Sequence, residues 1–217
     1  MRAPREVIIK ALKTGAFLLS LVPLGLLAWK LQRGQLGANP VDVITRSTGK
    51  WILVFLLITL GITPARKLLR LPWLVRFRRP LGLFAFFYGI LHLTTYIWLD
   101  KFFDVHEMLH DIVKRRFITA GLAGFALMMP LALTSTTGWI RRLGGKRWQL
   151  LHRLIYASAA AGVIHFVWLV KADLRRPLTY GAVLVGLLVY RAAVWVMGKS
   201  KPRAQAETAK TATPLAL

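Results

Sequence analysis

Six apolar blocks constrain this chain more than any other feature. They cover residues 7–29, 51–69, 79–99, 117–134, 149–170 and 177–197. Each is close to the ~20 residues that a helix needs to cross the hydrocarbon of a bilayer. Backbone polar groups inside lipid have to be satisfied within their own segment, which helices accomplish. The expected fold class is therefore all-α: a polytopic membrane bundle of about six transmembrane helices within residues 1–198. Residues 199–217, rich in Ala, Thr and Lys, are expected to form a disordered cytoplasmic tail. Thr63-Pro64 is expected to kink or end the second helix. Short connections make neighbouring helices antiparallel.

Composition agrees: 56% of the residues are hydrophobic and the mean hydropathy is +0.52. The chain has no cysteine. That excludes disulfides, thiolate metal sites, iron–sulfur clusters and thioether-linked heme within it. A net charge of +23 would suggest nucleic acid in a soluble protein. In a membrane protein, basic loops against anionic lipid headgroups account for it, and no nucleic-acid partner is expected. With both termini in the cytoplasm, the inner segments hold 20 basic residues and the outer loops 11. The positive-inside bias favours that orientation in a bacterial inner membrane.

The chemistry is expected at histidine. Of His92, His106, His110, His152 and His165, three lie in predicted spans. An ionisable group in the membrane marks function by default. Imidazole is also the usual axial ligand when heme is held without cysteine. His92 and His165 fall in the outer halves of parallel spans, so one heme is expected between them. His152 lies 13 residues before His165, about 20 Å along a helix axis. It would serve a second, inner heme, and Arg78 and Arg79 stand where that heme's other ligand would be sought. Gly89 and Gly162, each three residues before a histidine, either admit a flat macrocycle or pack helices together. His106 and His110 are expected on a solvated amphipathic segment at the membrane surface.

Specific motifs carry a resemblance. They are Leu133-Thr134-Ser135-Thr136, Arg142-Leu143-Gly144, and Trp148-Gln149-Leu150-Leu151-His152-Arg153-Leu154-Ile155-Tyr156 leading to His165. Arg78-Arg79-Pro80-Leu81-Gly82 before Leu91-His92-Leu93, and Ile62-Thr63-Pro64, belong with them. From about residue 7 to 197 the chain resembles the MsrQ (YedZ) family, within the ferric-reductase-like transmembrane group. The resemblance implies heme b, one or two per chain, with His92, His152 and His165 as iron ligands. It also implies FMN, and electron flow from the quinone pool or a cytoplasmic flavin reductase. The implied acceptor is MsrP, a periplasmic molybdopterin enzyme that reduces methionine sulfoxide in oxidised proteins. Substrate chemistry would then occur on the partner, and this chain would be an electron-transfer subunit. Two other readings fit the residues: a cytochrome b subunit of another respiratory complex, and a heme-free small transporter or scaffold.

Overall fold

A computed structural model describes residues 2–199. The segment after Lys199, expected as a tail, lies outside the described residues. The described residues form nine α-helices: α1 Arg2–Gln32, α2 Pro40–Leu68, α3 Arg78–Thr94, α4 Val105–Lys114, α5 Arg116–Leu133, α6 Thr137–Leu143, α7 Gly145–Leu151, α8 Leu154–Leu169 and α9 Arg175–Lys199. No strand occurs among them. Six stretches are long and apolar enough to cross a membrane: Glu6–Gln32, Pro40–Leu68, Pro72–Asp100, Arg116–Leu133, Gly145–Leu169 and Arg175–Met197. The protein is an all-α, multi-pass membrane bundle.

Three spans depart from their expected outlines. The second begins at Pro40, 11 residues before the first residue of its apolar block. Asn39 accepts the Asp42 backbone N–H at 3.1 Å, and Pro40 supplies a preset first turn. At the other end, α2 runs through Pro64 to Leu68. Proline has no N–H to give the carbonyl four residues back. That carbonyl, Leu60, instead accepts from Arg191 of α9 at 2.7 Å. The third span is composite: a 3₁₀ stretch Pro72–Phe77, then α3, then a π-helical turn Thr95–Asp100. The fifth is interrupted at His152-Arg153, between α7 and α8.

The core joins α2, α3, α5 and α8. Phe55, Leu56 and Leu60 of α2 pack with Phe84, Ala85 and Tyr88 of α3, Met128 and Leu131 of α5, and Ile155 and Ala159 of α8. Helices α5 and α8 approach closely through small residues. Ser158 donates to the Gly124 carbonyl at 2.9 Å, and a Cβ on Gly124 would lie 3.3 Å from that of Ala161. Many large apolar side chains of α1 and α9, such as Phe17, Leu19, Val189 and Trp195, are exposed, as a lipid-facing surface requires.

Helix α4 turns its polar face inward. Asp111, 3% exposed at the side chain, pairs with Lys101 at 2.8 Å and Arg115 at 3.0 Å. Tyr96 donates to the same carboxylate at 3.3 Å, and Glu107 also pairs with Lys101. Val105, Leu109 and Val113, one stripe at four-residue spacing, are exposed.

Candidate functional site

His92 on α3 and His165 on α8 meet near the C-terminal ends of those two helices. Their ring centroids are 6.1 Å apart and their planes stand at 88°. Each ring is fixed by a neighbouring helix. His92 Nδ1 lies 3.0 Å from the Thr45 carbonyl and 3.4 Å from the Thr48 hydroxyl, both on α2. His165 Nδ1 lies 2.6 Å from the Phe117 carbonyl on α5. A carbonyl only accepts, so Nδ1 carries the proton in both rings. Nε2 is left as the lone-pair nitrogen, the usual second-sphere device of metal-binding histidine.

The donor set fits a metal held between two imidazoles. A first-row metal–imidazole bond is about 2 Å and the ring centre lies roughly 1 Å further, so two rings on opposite sides of one metal have centres about 6 Å apart. The observed separation is 6.1 Å.

The glycines that make room here are Gly49 and Gly121, which the sequence reading did not single out. A Cβ at Gly49 would sit 3.1 Å from His92 Cε1, and one at Gly121 would sit 2.7 Å from His165 Nδ1. Of the two readings offered for Gly89 and Gly162, the structure shows helix packing. Gly89 faces Phe125 and Met128, and Gly162 faces Leu53.

His152 stands elsewhere, at the break between α7 and α8. Its ring stacks on Trp148 at 3.9 Å, and Trp148 Nε1 donates to the Thr134 carbonyl at 2.9 Å. The Thr134 hydroxyl donates to the Pro130 carbonyl at 2.6 Å and lies 3.2 Å from His152 Nε2. With its one proton used, that hydroxyl accepts from Nε2–H. His152 therefore carries its proton on the opposite nitrogen from His92 and His165. Together with Arg78 and Arg79 it lines a cavity of about 230 Å³ walled by Phe86, Met128 and Leu131. The break also removes the rotational relation that a continuous helix would impose between His152 and His165. His106 and His110 lie exposed on α4, apart from both places.

Residues 47–163 match the family described as ferric reductase like transmembrane component. A protein of Herminiimonas arsenicoxydans is 51% identical over 205 residues, covering 93% of this chain and 94% of its own length. One from Caulobacter vibrioides is 53% identical over 173 residues, covering 80% of this chain and 81% of its own. One from Azospira oryzae is 52% identical over 189 residues, covering 87% and 80%. All three carry the name protein-methionine-sulfoxide reductase heme-binding subunit MsrQ. With more than half its length in the family match and relatives aligned over most of both chains, this chain belongs to the ferric reductase like transmembrane component family, on its MsrQ branch.

Proposed function

We propose that this protein is a heme b membrane subunit that passes electrons across the bacterial inner membrane to a periplasmic methionine-sulfoxide reductase. One observation carries the reading: two intramembrane imidazoles 6.1 Å apart, each with Nδ1 on a backbone carbonyl. The names of the relatives, which specify heme binding and methionine-sulfoxide reduction, support it.

Bound there, heme supplies a one-electron iron couple. The chain does the rest. His92 and His165 would hold the heme through Nε2. Thr45 and Phe117 hold the imidazole protons at Nδ1, which keeps both rings from turning. The surrounding helices half-bury both rings. Electron transfer needs no nucleophile or general base, and the sulfoxide chemistry is assigned to a partner of the MsrP type, a molybdopterin enzyme.

His152 is assigned to a second heme nearer the cytoplasm. Arg78 and Arg79 in the same cavity supply positive charge for a carboxylate-bearing macrocycle. Electrons would enter on that side from the quinone pool or a cytoplasmic flavin reductase. FMN is retained on family resemblance alone; the basic stretch Arg141, Arg142, Lys146 and Arg147 has the charge for its phosphate. Both termini are placed in the cytoplasm, on the excess of basic residues in the inner segments.

Reduced-minus-oxidised spectra with pyridine hemochrome quantitation test the assignment on wild type, His92→Ala, His152→Ala and His165→Ala. The outer variants should each lose one heme and His152→Ala the other. Unchanged heme content in all three overturns the ligand set. Reoxidation of the reduced protein by the periplasmic reductase plus methionine sulfoxide tests the partner.

A further inference from the structure

The two histidines are held by the same device, built twice on different helices. On α2, the Thr45 carbonyl that accepts His92 stands four residues before Gly49. On α5, the Phe117 carbonyl that accepts His165 stands four residues before Gly121. A helical side chain leans toward the N-terminus and covers the turn before its own Cα. Any side chain at position 49 or 121 would therefore lie over the carbonyl one turn back. Glycine leaves that carbonyl bare on one side, and an imidazole from the neighbouring helix enters the gap. The fit is tight: an added Cβ would meet His92 Nδ1 at 3.2 Å and His165 Nδ1 at 2.7 Å. Each ring is thus held by a hydrogen bond at Nδ1 and by helix backbone in place of a side chain. Rotation about its Cβ–Cγ bond is blocked. The two notches present the rings at 88° to one another.

We propose that Gly49 and Gly121 are positioning residues that bare the Thr45 and Phe117 carbonyls and so lock the two axial imidazoles in perpendicular planes. The inference rests on the ligand assignment above and adds an electronic consequence. Perpendicular imidazoles act on different iron dπ orbitals and leave them nearly degenerate. Ferric low-spin iron then gives a highly anisotropic EPR signal dominated by one low-field feature. Parallel imidazoles split those orbitals and give a three-line rhombic signal. The ring orientation is therefore readable without any activity measurement.

The experiment is low-temperature EPR of the oxidised, heme-loaded protein in a His152→Ala background, which isolates the outer centre. Heme content is measured on the same samples. The parent should show the single-feature signal. Gly121→Ala, whose Cβ would fall at 2.7 Å, should retain heme but convert most of that signal to a rhombic or high-spin form. Gly49→Ala, with contacts of 3.1 and 3.2 Å, should convert less. Gly162→Ala is the control: it lies on the His165 helix and meets only the flexible end of Leu53, at 2.9 Å. It should keep the parental spectrum. A rhombic parental signal overturns the inference whether or not the glycine variants accumulate. So does a Gly121→Ala spectrum identical to the parent at full heme content. Retention of heme in His92→Ala and His165→Ala would instead remove the ligand assignment, and this inference with it.

Discussion

Arg191 of α9 donates through Nη2 to the Leu60 carbonyl of α2 at 2.7 Å, the carbonyl that Pro64 leaves without a helical partner. Its Nη1 donates to the Tyr156 hydroxyl at 2.7 Å, and the guanidinium lies 5.1 Å from the Tyr156 ring centre. One partly buried cation therefore ties α9 to α2 and α8 and satisfies a backbone group that would otherwise stand without a partner inside the bundle. A hydrogen bond to a charged group contributes roughly 1.5–3 kcal/mol, and membrane measurements sit at the low end of such ranges. Arg191→Met should lower unfolding stability by about 2 kcal/mol. In a Pro64→Ala background residue 64 regains its N–H, Leu60 recovers a helical donor, and the Arg191→Met cost should shrink. A double-mutant cycle measured by thermal or denaturant unfolding in detergent reads the coupling. Additive costs would show that the proline-freed carbonyl is not what Arg191 serves.

The ion pairs that hold α4 predict a pH dependence. Burial by itself would raise the Asp111 carboxyl, but the hydrogen bond from Lys101 and the charges of Arg115 and Lys101 outweigh it and hold the group below the usual aspartate range. Lys101 is pushed above the usual lysine range by its hydrogen bonds to Asp111 and Glu107. The sign follows for each group. The Asp111 contribution is present above the ordinary carboxyl pKa and is lost as pH falls through its depressed value. The Lys101 contribution is present below the ordinary lysine pKa and is lost only as pH rises through its elevated value. Between these limits α4 stays closed against the π-helical turn. Protection of the amides across Val105–Lys114, relative to the unstructured rate at the same pH, should be high at neutral pH and fall only as pH drops below the ordinary aspartate value of about 4 toward the depressed one. Asp111→Asn should lower protection at neutral pH, because it leaves Lys101, 5% exposed at the side chain, with Glu107 as its remaining carboxylate and removes the charge that Arg115 pairs with.

Bilayer length and hydropathy made the six spans legible, because a crossing segment has no other way to satisfy its backbone. They did not reveal where α2 begins. Asp42, Thr45, Arg46, Thr48 and Lys50 lower the hydropathy of its outer turns, so the stretch reads as loop. Yet Asn39-Pro40 is a start signal, and Arg46 closes an i,i+4 pair with Asp42 at 2.7 Å. That error hid Thr45, Thr48 and Gly49, half of what holds the outer histidines. The histidines themselves stood out as ionisable groups in lipid. Their glycines did not, because spacing on a single helix points to Gly89 and Gly162, whereas each ring reaches across to another helix. The break at His152-Arg153 carries no proline or glycine of its own. There the His152 ring stacks on Trp148, four residues back, and bonds to Thr134 at the end of α5; the Thr134 partner is a tertiary contact that no local pattern encodes.

Thr134 gives the last prediction. Its hydroxyl accepts from His152 Nε2 at 3.2 Å, so iron can take that nitrogen only if the bond is given up and the proton moves to Nδ1. The outer histidines face no such competition, since their Nδ1 atoms already hold the proton. If His152 ligates an inner heme through Nε2, the Thr134 bond opposes loading. Thr134→Val, nearly isosteric, should then raise heme occupancy at the inner site or leave it full, and hasten its reconstitution from apoprotein. If Thr134 instead orients His152 for ligation through Nδ1, the same substitution should lower inner-site occupancy toward that of His152→Ala. A neutral–neutral hydrogen bond contributes about 1 kcal/mol, which corresponds to a change of roughly fivefold in apparent heme affinity. Heme titration of the Thr134→Val apoprotein in a His92→Ala, His165→Ala background isolates the inner site and resolves a change of that size. Arg78→Gln in the same background should weaken binding whichever nitrogen is used, because it removes a cation from the cavity wall and leaves the histidine in place.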